Sequence, residues 1–149
     1  MATGPTVRPA TDADLPFLTR HDRHVAPAVL REVVAQGRVL VVDDGEGPAG
    51  LLRWNLFWDE LPFMNLLFVV GDRRGRGLGT ALVRAWESAA EQAGHPAVLT
   101  STQADEQAQH FYRRLGYRDC GALLFPGEPT ELVLRKELPV SPLDSVPAP

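Results

Sequence analysis

Residues 73–82 of this 149-residue chain read RRGRGLGTAL. Three glycines alternate with other residues, and three arginines crowd the same few positions, between an apolar run and a patterned helix. A strand, a glycine turn and a helix start together make an anion site. The first turn of a helix has N–H groups without intrahelical acceptors, and the helix dipole adds partial positive charge there. Glycine lets the backbone approach phosphate oxygens with no Cβ in the way. A nucleotide P-loop would need G-x-x-x-x-G-K-[ST], and the sole lysine of the chain is Lys136. A dinucleotide loop would need G-x-G-x-x-G, and counted from Gly75 the third glycine falls on Thr80. What does fit is R-x-x-G-x-G, as Arg74, Gly77 and Gly79, directly after LLFVV.

The elements that must position this loop follow from patterning. TVRP is a short first strand, and TDADLPFL opens a helix that Thr11 or Asp12 can cap, with Pro16 in its first turn. A second helix is expected over Ala28–Gln36, stopped by Gly37. RVLVVD is a strand, DGEGP a hairpin turn, AGLLRWNLFW the next strand and DELP the turn after it. FMNLLFVV is a nearly continuous apolar run, as a central strand buried on both faces requires. Leu78, Ala81, Leu82, Ala85, Trp86, Ala89 and Ala93 then recur at helical steps until Gly94 and Pro96. AVLTS is a strand. Thr102 is expected to cap the next helix, with Asp105 completing an acidic capping box. Ala108, Phe111, Tyr112 and Leu115 form the apolar face of that helix, and Gly116 closes it. YRDCGAL and TELVLRKEL complete a mixed sheet. The order β-α-α-β-β-β-α-β-α-β-β is an α/β architecture, antiparallel early and built of β-loop-α units late.

LLFVVGDRRGRGLGTALV and, further on, DEQAQHFYRRLGY occur in the order and with the intervening elements of a known family. The chain resembles the GCN5-related N-acetyltransferase (GNAT) family over most of its length. The resemblance implies a mixed, mostly antiparallel central sheet flanked by helices, with a splayed strand pair holding acetyl-CoA as cosubstrate. It implies that backbone N–H groups of Arg74, Gly75, Arg76, Gly77, Leu78, Gly79 and Thr80 hold the CoA pyrophosphate. Val69 and Val70 would pair with the pantetheine arm, and one of their N–H groups would polarise the thioester carbonyl. Tyr112 would protonate the leaving thiolate; by periodicity alone it reads as a core aromatic. Asp105, where the family often has asparagine, would contact pantetheine or serve as a cap.

An amine nucleophile must lose a proton. Glu60, with Asp59, sits in the turn before the central strand, and Glu60 is the candidate base; an ordinary solvated turn is the alternative. His21 and His24 fall in the connection between the first two helices, which in the family often lines the acceptor pocket, and otherwise read as surface histidines. Trp54 and Trp58 share a strand face by alternation, with Phe57 on the other, so they either pack or wall a pocket with an acidic lip. That pocket would suit a small cationic amine. The expected reaction is direct acetyl transfer to a primary amine of a small molecule. A protein amine, or an acyl-CoA sensor without turnover, is the alternative.

Composition agrees with one globular domain. Hydrophobic residues make up 44% and charged residues 23%, and the net charge of −4 gives no reason to expect nucleic acid as a partner. One cysteine, Cys120, excludes an intramolecular disulfide, points to a reducing, cytoplasmic setting, and is expected to be buried in its strand. The scattered histidines suggest no metal. No segment reaches the length of a membrane helix. The domain is expected to span 1–138, with a flexible Pro-rich tail over 139–149, PVSPLDSVPAP being rich in proline and free of aromatics. A homodimer is allowed by this reading.

Overall fold

The computed structural model describes residues 4–139, so the expected tail lies, from residue 140 on, outside the described residues. Seven strands are hydrogen-bonded in the order β1-β2-β3-β4-β5-β7-β6. They are β1 (Thr6–Pro9), β2 (Val39–Asp43), β3 (Pro48–Phe57), β4 (Leu61–Val69), β5 (Ala97–Gln103), β6 (Arg118–Leu123) and β7 (Glu131–Glu137). Four helices, α1 (Leu15–His21), α2 (Pro27–Ala35), α3 (Leu78–Gln92) and α4 (Ala108–Arg114), complete the described part of this mixed α/β fold. The β1–β2, β2–β3, β5–β7 and β6–β7 pairs are antiparallel, and β4–β5 is parallel. No helix among the described residues is long and apolar enough to cross a membrane. The described residues group into two compact units, residues 4–55 with 65–88 and residues 56–64 with 89–139.

In the first unit, Ala10, Leu18, Leu30, Val34, Val39, Val41 and Leu51 form one buried cluster, with Phe17, Leu66 and Phe68 packed against it. The α1 and α2 apolar stripes thus cover the face of the sheet from which Leu66 and Phe68 project. A short 3-10 turn (Asp12–Asp14) precedes α1. Asp14 accepts the Thr11 N–H at 2.8 Å, the return half of a capping box. It also accepts two hydrogen bonds from the Arg8 guanidinium, at 2.7 and 2.8 Å, which tie β1 to the start of α1. A second pair ties α1 to β3: the Arg53 Nε donates to Asp22 at 2.6 Å, and both side chains are buried.

The Arg8 hydrogen bonds, then the Thr11 amide, hold the Asp14 carboxyl below its ordinary 3.8 against the opposing effect of burial. A depressed folded-state value means that the stabilisation is complete above 3.8 and is lost as pH falls through the lower folded value. Asp14→Ala is expected to lower the urea-unfolding free energy at pH 7 by about 1–2 kcal/mol, as loss of a helix cap does. The gap to wild type should narrow below pH 3.8. Urea melts at pH 7 and pH 3 check both.

In the second unit, β5 pairs with β7 along its whole length, from Ala97↔Glu137 to Gln103↔Glu131. That ladder corrects the expected cap. Thr102 stays in β5, where its hydroxyl donates to the Glu106 carboxylate at 3.3 Å, and α4 starts at Ala108. Asp105 therefore lies in the exposed turn before α4 rather than within the helix as part of a capping box. Cys120 corrects a second expectation. It is exposed on β6, the last strand in the order, at the register shift between Asp119 and Gly121. A third correction concerns Trp58. Strand β3 ends at Phe57, and Trp58 and Asp59 take φ of 57° and 59°, with the Glu60 N–H donating to the Phe57 carbonyl at 3.1 Å. This is a two-residue hairpin turn of the primed type. It ends the strand alternation before Trp58, which is 75% exposed and packs at a tilt against Phe57, ring centroids 4.6 Å apart.

Candidate functional site

Strand β4 delivers the chain to the glycine loop, and main-chain hydrogen bonds fix how it arrives. The Val70 N–H donates to the Ala49 carbonyl at 2.8 Å, so that amide is committed to β3. By strand alternation the Val69 N–H and C=O face the opposite way. The Val69 carbonyl accepts the Arg74 Nε at 3.1 Å. Of the two strand residues expected to meet a thioester, Val69 is the one whose amide faces away from β3.

After Val70 the chain makes a 3-10 turn (Gly71–Arg73) and then extends through Arg74. Gly75 and Gly77 both take φ of +79°, a conformation that L side chains rarely adopt. Open space surrounds the position a Cβ would occupy at each. The Ala81 N–H donates to the Gly77 carbonyl at 3.0 Å, which makes Gly77 the residue that caps α3. The N–H groups of Leu78, Gly79 and Thr80 are then the first three of a fifteen-residue helix, and no preceding turn supplies them an acceptor. Leu78 is buried and anchors this first turn, while Gly75, Arg76 and Gly77 are exposed. The loop is thus an open anion cradle of backbone amides at a helix start.

The arginines of the loop differ from one another. Arg73 reaches the β2–β3 turn, pairing with Asp44 at 3.4 Å and Glu46 at 3.6 Å. Arg74 folds back onto β4, its guanidinium 5.9 Å above the Phe68 ring. Arg76 stands exposed. On the Phe68 ring the His21 imidazole also stacks, with centroids 5.0 Å apart and planes at 23°, and Phe17 flanks His21 at 4.7 Å. Burial, then the charges of Arg20 and Arg23, push the His21 pKa below its ordinary 6.5. His21 is therefore the last residue of α1 and part of an aromatic stack, where the sequence read a surface histidine.

In the second unit, Tyr112 is 6% exposed and packs edge-on against Phe111 and Tyr117. Gly116, at φ of +101°, ends α4 and lets Tyr117 bond its N–H back to the Tyr112 carbonyl at 3.1 Å. The Tyr112 hydroxyl is hydrogen-bonded to the side chain of Thr100. The Thr100 hydroxyl in turn donates to the Met64 carbonyl at 3.1 Å. Thr100 thus links the Tyr112 hydroxyl to the Met64 carbonyl. Burial raises the Tyr112 pKa to about 12, opposed by the Thr100 hydrogen bond and reinforced by the Glu106 charge. The phenol thus stays protonated across the neutral range.

Within this unit Glu60 stands apart from that hydroxyl. It is exposed in the hairpin turn, four residues before Met64, or roughly 13 Å along a strand at about 3.3 Å per residue. Asp105 is exposed, and the Arg113 side chain is occupied by Asp119 at 2.9 and 3.0 Å. The sequence reading missed Thr100, which as one threonine in a strand carries no signal beyond β propensity. The parallel β4–β5 pairing is described at Phe63↔Leu99 and Met64↔Thr100, the same level as the hydroxyl chain.

Residues 35–119, more than half of the chain, match the family model described as an acetyltransferase (GNAT) domain. A curated relative, an uncharacterized N-acetyltransferase, YjcF, of Bacillus subtilis (strain 168), is 32% identical over 87 residues, which are 58% of this chain and 60% of that protein's length. The ribosomal-protein-S18-alanine N-acetyltransferase of Escherichia coli superposes with a TM-score of 0.78 at 15% identity, covering 95% of this chain and 99% of that one. PaiA N-acetyltransferase of Thermoplasma acidophilum, solved with coenzyme A, superposes with a TM-score of 0.75 at 10% identity, covering 91% of this chain and 99% of that one. At such identities the two structures establish likeness of fold.

Proposed function

The chain belongs to the GNAT acetyltransferase family, and on that premise we propose that it transfers the acetyl group of acetyl-CoA directly to a primary amine. The observation that carries this reading is the open row of amides from the Gly75–Gly77 turn into the first turn of α3. It offers donors and a dipole to a pyrophosphate and places no Cβ in the approach. The Val69 amide is assigned to the thioester carbonyl, whose developing negative charge a fixed N–H donor stabilises. Tyr112 is assigned as the acid, because its hydroxyl is protonated at neutral pH. Its proton goes to the sulfur as the C–S bond breaks and the amine completes the C–N bond. Holding the two reactants in line supplies most of the acceleration.

Two residues leave the scheme. Glu60 and Asp105, each in an exposed turn, are given no role in it. The expectation of a small cationic acceptor drew on Trp54, Phe57 and Trp58 with an acidic lip. Trp54 lies under the Arg38 guanidinium at 5.7 Å, and Trp58 projects from the hairpin tip. We therefore assign the acceptor as a primary amine, small molecule or protein, without a cationic requirement.

Free-thiol release from acetyl-CoA, followed with and without a panel of amines, tests the proposal. Release that requires an amine and matches acetamide formation is expected. Tight acetyl-CoA binding without release for any small amine or amino-terminal peptide would support an acyl-CoA sensor instead.

A further inference from the structure

The reading above leaves the proton of the attacking amine without an acceptor, and a group suited to it lies in the first unit. His21 ends α1 and stacks on Phe68, the residue before Val69. Phe68 is shared: Arg74, whose Nε donates to the Val69 carbonyl, lies over the same ring. The imidazole is thus held beside the stretch of β4 assigned to the thioester.

The hold on His21 is built from three directions. Phe17, one turn earlier in α1, flanks the ring, and Phe68 supports its face. The next residue, Asp22, is buried, closes α1 by donating its N–H to the Leu18 carbonyl at 2.7 Å, and pairs with Arg53 of β3 at 2.6 Å. Asp22 also accepts the His24 N–H at 3.2 Å, which fixes where the chain leaves the helix. A surface histidine needs none of this.

We propose that His21 is the general base that takes the proton from the acceptor amine. This assignment rests on the acetyl-transfer reading and deepens it. The amine lone pair attacks the carbonyl carbon, and the C–N bond forms as the C–S bond breaks. The C–S electron pair leaves on sulfur, which is protonated by Tyr112. The nitrogen's excess proton passes to the His21 imidazole and from there to water, and Tyr112 regains a proton from water. The charged groups around the ring are Arg20 and Arg23 on its own segment, Arg74 from the loop, and Asp22, whose carboxylate is taken by Arg53. Burial first, and then the charges of Arg20 and Arg23, keep the imidazole neutral and able to accept a proton at pH 7.

The test is the pH profile of kcat at saturating acetyl-CoA and amine, which reports groups of the bound complex. Wild type is expected to lose activity on the acid side with a midpoint below 6.5, the ordinary histidine value. His21→Gln is expected to abolish that limb and lower kcat about tenfold at pH 7, with acetyl-CoA affinity by calorimetry unchanged. Arg20→Gln with Arg23→Gln removes two repelling charges and should move the limb up toward 6.5 while the enzyme still turns over. An unchanged profile in His21→Gln overturns the assignment. Where His21→Gln fails to fold, an unmoved limb in the arginine double variant overturns it as well. Absence of amine-dependent thiol release from wild type would instead overturn the acetyl-transfer reading itself.

Discussion

Tyr112→Phe is expected to lower kcat by about 10²-fold or more, the usual contribution of a positioned acid, while acetyl-CoA affinity stays close to wild type. The ring keeps its place against Phe111 and Tyr117, and only the hydroxyl is removed. The structure also states what a purely structural hydroxyl would do. Its hydrogen bond to Thr100 would be lost, but the Thr100 hydroxyl would keep its bond to the Met64 carbonyl. No buried donor is orphaned, so the stability cost is about 1 kcal/mol. A stability loss of that size with full kcat would make Tyr112 a packing residue; a 10²-fold rate loss with the same small stability change assigns the proton. The pH dependence has a definite sign. A pKa raised from 10.0 to about 12 means that the folded state holds the proton more tightly. The stability this brings is complete below pH 10 and is lost as pH rises through about 12. The phenol therefore carries its proton across the assay range. Steady-state kinetics, acetyl-CoA titration and urea melts on the two proteins together decide the case.

Gly77→Ala is expected to weaken acetyl-CoA binding by more than about tenfold, or roughly 1.4 kcal/mol. The reason differs from crowding alone. Nothing in the protein lies within 4 Å of the added methyl, so the fold offers it no clash. The cost is conformational: at φ of +79° an L residue is strained by about 1–2 kcal/mol. Relief of that strain turns the Gly77 carbonyl, which accepts the first hydrogen bond of α3, and with it the amides of Leu78, Gly79 and Thr80. A methyl in open space would in addition stand where phosphate oxygens approach. Calorimetry with acetyl-CoA checks the affinity, and circular dichroism checks that α3 persists. Unchanged affinity would remove the loop from the site.

The loop was legible because its determinants are local. Glycines at 75 and 77 can hold left-handed backbone wherever they stand, and an apolar strand before them and a periodic helix after them set the context. The same locality made Gly37 and Gly116 readable as helix ends. What failed depended on partners distant in sequence. The length of β5 is set by its ladder with β7, and no pattern within residues 97–107 announces that Thr102 pairs with Leu132 rather than capping a helix. Asp105 lies outside the helix for that reason. Trp58 left its strand because a two-residue turn closed one position earlier than the aromatic run suggested. Thr100 and His21 acquired roles from neighbours 12 and 47 residues away in the chain, Tyr112 and Phe68. Side-chain hydrogen bonds and ring stacks of that span leave no periodicity to read.

The pairing of Arg73 with the turn before β3 changes how ionic strength should act on this molecule. Three arginines beside a phosphate loop suggest binding by bulk positive charge, which added salt screens within about 10 Å at 0.1 M. Here Arg73 is neutralised by Asp44 and Glu46, and Arg74 is turned onto its own strand. The donors left facing an anion are main-chain amides, whose hydrogen bonds act at contact and carry no counterions to release, together with the exposed Arg76. A ligand held in this way would be retained in salt that strips phosphate from a patch of free cations. The arginines would then contribute less to how tightly the anion is held than to how rigidly the cradle keeps its shape before the anion arrives.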